Sequence, residues 1–379
     1  MKIERIAVSV FRVPTEAPVA TSFGVMHDRP AVFVQLTADD GTFGWGEIFA
    51  NWPAAGAEHR ARLLMMDVAD LIFGCDAGTP SEIWETLTRQ TRIRALQAGE
   101  WGPFWQVLAG LDTALHDMVA RRAGLPMARY LNPSAADAVP CYASGIAAAK
   151  AADQVANARK HGFRAFKIKV GFDDQADFET LAAVSEGLNT NEQVMADANQ
   201  AWDVPRALDF MARADALGLG WIEEPIAADR PEHEWATLAT KIKTPIAAGE
   251  NIAGEVAFSQ AIEAGHVKYV QPDVAKWGGV TGCLRLAQAA LQANRTYCPH
   301  FLGGGIGLRA SAHLLAAAGG SGLLEVDVNP NPLRDAFAGE GLAGGQWKLG
   351  SAPGLGIETL PDSLIPYQTL SLEKTRTSV

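Results

Sequence analysis

The sequence predicts an α/β fold, a barrel of alternating strands and helices preceded by a small α+β region. Two observations carry this. From residue 139 onward, eight short apolar segments alternate with helical stretches, which is how a parallel sheet is written. Each segment also runs into a polar residue at a near-constant interval.

The α+β region comes first. Residues 3–11 are apolar-rich and residues 31–37 alternate loosely. Asp39-Asp40-Gly41 is a hairpin signal leading into 42–48. Apolar positions then recur at helical spacing in 61–66, 83–87 and 107–119. Three strands followed by helices describe an α+β domain over 1–130, and Asn132-Pro133-Ser134-Ala135 reads as a linker. The eight segments of the barrel region, 131–326, are 139–143, 165–170, 193–196, 220–222, 245–248, 267–271, 296–298 and 323–326. Helical stretches such as 148–160, 204–217, 257–264 and 284–293 separate them. Units of about 26 residues fit a closed β/α barrel. Spacing alone also admits an open doubly wound sheet. The last segment, 327–379, is Gly/Pro-rich and reads as irregular chain that can return to the N-terminal domain, with residues 373–379 expected to fray.

Composition excludes several function classes. Of 379 residues, 48% are hydrophobic and 20% charged, which fits a globular protein with a large core rather than a disordered one. The net charge of −11 repels nucleic acid and anionic membrane. Cys75, Cys141, Cys283 and Cys298 are far apart and form no CxxC pair, against a disulfide scaffold or zinc knot. No apolar run approaches about 20 residues, so no membrane span is expected. Met1-Lys2-Ile3-Glu4-Arg5 leads into no apolar signal core, so a cytoplasmic protein is expected.

The chemistry lies in the polar residues on the beat. Lys169 is followed by Asp197 after 28 residues, Glu223 after 26, Glu250 after 27, Asp273 after 23, His300 after 27 and Glu325 after 25. In a barrel, consecutive strand ends converge on one mouth, where active sites form. Polar residues also commonly begin loops, but solvation alone does not account for Asp, Glu, Lys and His at every step. Asp197, Glu223 and Glu250 are three carboxylates on adjacent strands, which repel unless a cation joins them. Oxygen ligands without Cys or His favour Mg²⁺ over Zn²⁺. Asn199 sits two residues beyond Asp197 and can support it or touch substrate. Glu224 alternates away from Glu223 and reads as half of a salt bridge in the barrel wall. Lys167 and Lys169 share one face of a strand. Lys167 and the metal are expected to lower the pKa of Lys169, making it a base, while Lys167 meets a substrate carboxylate. Asp273 beside His300 fixes the imidazole tautomer. Lys169 on one flank and His300 on the other suit a carboxylate substrate with a weakly acidic α-proton. The metal and Lys167 would stabilise the enediolate left behind, and Glu325 would bond the enolate or a substrate hydroxyl.

This ordered set resembles the mandelate racemase subgroup of the enolase superfamily. The matching pieces are Lys167-Ile168-Lys169, Asp197-Ala198-Asn199, Trp221-Ile222-Glu223-Glu224-Pro225, Gly249-Glu250-Asn251, Gln271-Pro272-Asp273 with Gly278-Gly279-Val280-Thr281, Pro299-His300 and Gly44-Trp45-Gly46-Glu47. The resemblance spans nearly the whole chain. It implies a modified TIM barrel, (β/α)₇β, under an α+β capping domain made by the N-terminal region and the C-terminal tail. It implies Mg²⁺ on Asp197, Glu223 and Glu250, Lys169 and the Asp273–His300 dyad as acid and base, Lys167 on the substrate carboxylate, and a homo-oligomer. The stretch from Glu325 to Arg334 looks more like the family's acid-sugar enzymes than like mandelate racemase, in which the equivalent Glu follows the His more closely. In this family cap loops choose the substrate. Here they correspond to about 15–30 and 48–60, and they offer His27, Arg29 and Asn51, which suit a polyhydroxy acid. Arg29 is available to a second carboxylate unless it pairs with Asp28.

The resulting expectation is Mg²⁺-dependent dehydration of an aldonic or aldaric acid to a 2-keto-3-deoxy acid. Cycloisomerisation of a sugar-acid lactone, and racemisation or epimerisation of a 2-hydroxy acid, are the alternatives through the same intermediate. Two further readings compete. Gly305-Ile306-Gly307-Leu308-Arg309-Ala310 matches a dinucleotide-binding fingerprint, although the Gly/Pro-rich tail beyond it offers no βαβ units. A non-catalytic barrel would not need the convergent Lys/Asp/Glu/His set.

Overall fold

The computed structural model describes residues 1–22, 24–337, 339 and 341–376. At the N-terminus, β1 (Ile3–Thr21), β2 (Gly24–Ala38) and β3 (Phe43–Ile48) form an antiparallel sheet. Ile6, Val8 and Val10 are fully buried while the alternate positions are partly exposed, the two-residue period of a one-sided sheet. The Asp39-Asp40-Gly41 turn forms with Gly41 at φ +83°, a conformation glycine takes without penalty. The helix Trp101–Arg122 lies against β3 and is buried over most of its length. Its approach explains two glycines. A Cβ on Gly44 would stand 2.1 Å from the Ala114 carbonyl oxygen, and one on Gly46 would stand 2.0 Å from that of Gly110.

The eight segments on the beat all form strands. They are β4 (Ala138–Ala147), β5 (Ala165–Lys169), β6 (Gln193–Asp197), β7 (Ile222–Glu223), β8 (Ile246–Ala248), β9 (Tyr269–Val270), β10 (Thr296–Tyr297) and β11 (Leu324–Asp327). β4 to β10 pair in sequence order, all parallel, and β11 returns to pair with β4. The seam between β10 and β11 is bridged by the Leu323 N–H on Cys298 Sγ at 3.3 Å. A separate apolar cluster takes one residue from each strand or its edge: Tyr142, Ala165, Met195, Trp221, Ala247, Tyr269, Cys298 and Leu323. One layer fed by all eight strands is the filled interior of a closed barrel, so the open doubly wound sheet is excluded.

The C-terminal chain serves both bodies. β12 (Leu342–Ala343) and β13 (Gln346–Lys348) form a hairpin that pairs antiparallel with β4. β14 (Gln368–Thr375) then completes the N-terminal sheet in the order β14-β1-β2-β3. The expected fraying of residues 373–379 is corrected here. Glu373, Lys374 and Thr375 are paired with Ala7, Ile6 and Arg5, and 377–379 lie outside the described residues. Buried Asp117 ties the pieces together by accepting N–H bonds from Trp45 in the cap and Leu355 in the tail. Among the described residues the cysteines are all free, and no helix is long and apolar enough to cross a membrane.

Candidate active site

The charged strand ends meet at one mouth. Register sets Lys169 beside Asp197 and Asp197 beside Glu223. Lys169 Nζ donates to Asp197 Oδ2 at 2.6 Å and to Asn199 Oδ1 at 2.8 Å. Asn199 and Gln200 both have positive φ, 44° and 65°. Asn tolerates this region, and the bend curls the loop so that the Asn199 N–H caps Asp197 Oδ1 at 2.9 Å. Ser22 of the cap donates to the Asn199 carbonyl, so the cap reaches this strand end directly.

Lys167 is 1% exposed. Its Nζ lies 2.7 and 2.8 Å from the two oxygens of Glu223 and 2.8 Å from Glu325, above the Tyr142 ring at 5.4 Å. The charge expected to meet a substrate carboxylate is therefore engaged by two protein carboxylates. Glu223 also accepts from Gln271 Nε2 at 2.8 Å and Trp221 Nε1 at 3.3 Å. Glu325 accepts from Ser144 Oγ at 2.5 Å and the Phe301 N–H at 3.1 Å.

His300 Nδ1 bonds Asp273 Oδ2 at 2.8 Å. Its Nε2 faces Glu250 at 3.4 Å and Glu325 at 3.8 Å. Burial disfavours the imidazolium, but Glu250, Glu325 and Asp273 outweigh it and hold His300 up at about 9. For Lys169, burial lowers the pKa and Asp197 raises it, with a net rise. In the metal-free protein the carboxylate 2.6 Å away outweighs Lys167. Glu224 is corrected as well. It is fully buried at φ +40°, and its carboxylate accepts from the Asn251 side chain at 2.8 Å instead of forming a salt bridge. Burial, with Glu250 nearby, pushes it up to about 8.

The mouth is rich in negative charge. Asp197, Glu223, Glu224, Glu250, Asp273 and Glu325 face Lys167, Lys169, Lys276 and His300. With His300 protonated and Glu224 held neutral by burial, five carboxylates face four cations and one negative charge remains uncompensated. Burial together with Asp197 pushes Glu223 up to about 7, which is how such an excess expresses itself without a counter-cation. Among the described residues no three acidic, His or Cys side chains close as a cage; Asp197, Glu223 and Glu250 are each turned to a protein cation. The donor set itself is all oxygen, on adjacent strands and in a layer with excess negative charge, which fits a hard divalent cation.

A cavity of about 800 Å³ opens above this layer. Lys169, His300, Glu325 and Ser144 line it from the barrel, and Thr21 and Arg29 from the cap. Arg29 does not pair with Asp28, which is held by Arg12 at 2.9 Å. It bonds Asp327 at 2.8 Å, both groups at most 5% exposed, and Arg29 Nε has no protein partner. His27 is exposed and outside the cavity wall. Asn51 Nδ2 is directed at the Leu302 carbonyl at 2.6 Å.

The glycine fingerprint has another explanation. Gly305 opens the helix Gly305–Ala318, and Glu47 of the cap accepts the N–H groups of Gly304 and Gly307 at 2.5 and 2.8 Å. The carboxylate fills the anion site that a helix N-terminus makes. A Cβ on Gly307 would stand 2.3 Å from Phe301, and one on Gly304 2.7 Å from Phe33. These glycines serve cap–barrel packing.

Comparison with known proteins agrees with this architecture. Residues 150–363 match the enolase C-terminal domain-like family, and residues 5–131 match the mandelate racemase / muconate lactonizing enzyme N-terminal domain. The chain belongs to the mandelate racemase / muconate lactonizing enzyme family. It is 28% identical to the D-galactarolactone cycloisomerase of Agrobacterium fabrum, over 97% of this chain and 99% of the relative. It is 31% identical to the L-talarate/galactarate dehydratase of Salmonella typhimurium, over 83% and 79%. A crystal structure of a mandelate racemase/muconate lactonizing enzyme from Bordetella bronchiseptica RB50 superposes with a TM-score of 0.88 at 46% identity, covering 96% and 98%. The L-talarate dehydratase of Polaromonas sp. JS666, solved with Mg and L-glucarate, gives a TM-score of 0.86 at 25% identity, covering 99% and 100%.

Sequence reasoning passed over Gln271, Ser144 and Lys276. Lys276 Nζ bonds Asn251 Oδ1 at 2.8 Å and lies 3.5 Å from Glu250. Gln271 and Ser144 each sit on the inward face of a strand, so strand parity was the available signal.

Proposed function

We propose that this protein is a Mg²⁺-dependent sugar-acid dehydratase that removes the proton α to a carboxylate and expels the β-hydroxyl, giving a 2-keto-3-deoxy acid. One observation carries the reading: Lys169 and His300, from β5 and the end of β10, line the same cavity. Asp197, Glu223 and Glu250 would hold Mg²⁺, which would supply Lewis-acid chemistry at the substrate carboxylate.

The chain's own groups do the rest. Asp273 holds Nδ1 of His300, so Nε2 is the atom turned to substrate. Lys169 or His300 takes the α-proton, according to the configuration at C2. Lys167 secures Glu223 and Glu325, and Asp273 with Glu325 stabilises the imidazolium once His300 carries a proton. The imidazolium then gives its proton to the departing hydroxyl, and the enol tautomerises to the keto acid. Asn199 positions Lys169.

The test is a screen of aldonic acids, aldaric acids and their lactones with Mg²⁺, read by semicarbazide and by proton NMR in D₂O. A 2-keto-3-deoxy product from an open-chain acid is expected. Product from a lactone alone would move the reading to cycloisomerase, the alternative favoured by the near full-length match to the Agrobacterium enzyme. Inversion without keto product would make it a racemase or epimerase.

A further inference from the structure

The charged groups in the cavity wall are matched, with one exception. Arg29 is bound to Asp327, Lys169 to Asp197, His300 to Asp273 and Glu325 to Lys167. Asp177 accepts the N–H groups of Gly171, Phe172 and Asp173. Lys150 lines the same cavity and has no hydrogen-bond, ion-pair or ring partner among the described residues. A lysine free in bulk solvent is ordinary. This one stands in the wall of the chamber that holds both acid/base groups.

Its place along the chain sets it beside the chemistry. Ala147 is the register partner of Lys169. The chain then turns through the 3₁₀ segment Ala148–Lys150, so Lys150 follows three residues after the row of Lys169, exposed in the cavity wall.

We propose that Lys150 binds the distal carboxylate of the substrate, so that the preferred class is aldaric rather than aldonic. This rests on the sugar-acid reading above and narrows it. Arg29, the cation that the family resemblance offers for this task, is neutralised by Asp327. The first carboxylate goes to the carboxylate-rich layer with its cation, and only Lys150 is left to compensate the second. An exposed ammonium–carboxylate contact is worth up to about fivefold in affinity.

Calorimetry on the full chain in Mg²⁺ tests this with matched pairs, galactarate against galactonate and glucarate against gluconate. The readout is the ratio of the aldonate Kd to the aldarate Kd. Wild type should favour an aldarate by about fivefold. The ratio should collapse toward one in Lys150→Met, which keeps the stem, and recover in Lys150→Arg. A ratio of one in wild type, an unchanged ratio in Lys150→Met, or no measurable binding of either aldarate overturns the proposal. Solvent-deuterium exchange in the same samples separates this from the reaction. A Lys150-dependent ratio without exchange overturns the dehydratase reading and keeps the site, while exchange with equal Kd values does the reverse.

Discussion

Two layers of the barrel, one residue pair apart, obey opposite rules. The floor layer is Tyr142, Ala165, Met195, Trp221, Ala247, Tyr269, Cys298 and Leu323. Two residues further along each strand stand Ser144, Lys167, Asp197, Glu223, Gly249, Gln271, His300 and Glu325. A two-residue step keeps the side chain on the same face, so the second set is the next layer up. The floor is held by packing, for example Tyr142 edge-on to Trp221 with ring centroids 5.4 Å apart. The layer above has nearly the same burial and is held by opposite charges. The lesson is that a buried charged layer is tolerated when each member has a partner, and that its members then depend on one another.

The largest effect should come from the two groups proposed to touch the reacting atoms. Lys169→Ala and His300→Asn should each lower kcat at least ~10³-fold. One of the two should retain α-proton exchange in D₂O without product. Both variants turning over at the wild-type rate would break the assignment.

Next comes the layer's interdependence. Lys167→Met strands Glu223 and Glu325 in a buried site, and breaking such a set costs about 3–5 kcal/mol. Denaturant unfolding of the metal-free protein should register this at pH 7. The loss should shrink toward pH 5, because protonation relieves the unpaired carboxylates.

The His300 contribution runs the other way with pH. His300 is held at about 9, above its ordinary 6.5. Its contribution is therefore fully present below 6.5 and is lost as pH rises through about 9, on the order of 3 kcal/mol. An NMR titration of the metal-free protein should find the imidazole near 9. In Asp273→Asn it should move back toward 6.5, and an imidazole at its ordinary value in wild type would contradict the geometry.

The smallest effect belongs to the floor. Met195→Ala should cost ~2 kcal/mol, the low end for a buried truncation, since methionine is the most adaptable core residue. That loss should not change between pH 5 and pH 7. A pH-dependent loss here would mean the two layers are not separable.

Much of this was written along the chain. The i, i+2 step from an apolar to an ionisable residue recurs on strand after strand, so the barrel, its mouth and the order of its charged residues follow from local pattern. Partners across long separations do not. Arg29 finds Asp327 rather than its neighbour Asp28 because β-strand alternation points adjacent residues to opposite faces. Glu224 escapes the expected salt bridge because its positive φ turns the carboxylate to Asn251. The Gly305 fingerprint misleads because one turn geometry can seat a diphosphate or, as here, a carboxylate from another domain. Lys150 carried no signal, since an unpaired lysine becomes notable only once the cavity around it is known.

The most direct test of the central claim is deuterium exchange at the α-carbon. Purified wild-type protein with Mg²⁺ in D₂O should wash deuterium into C2 of an aldarate or yield a 2-keto-3-deoxy acid, and Lys169→Ala/His300→Asn should do neither. Neither exchange nor keto product with any aldarate, aldonate or lactone, from a folded protein that binds Mg²⁺, would contradict it.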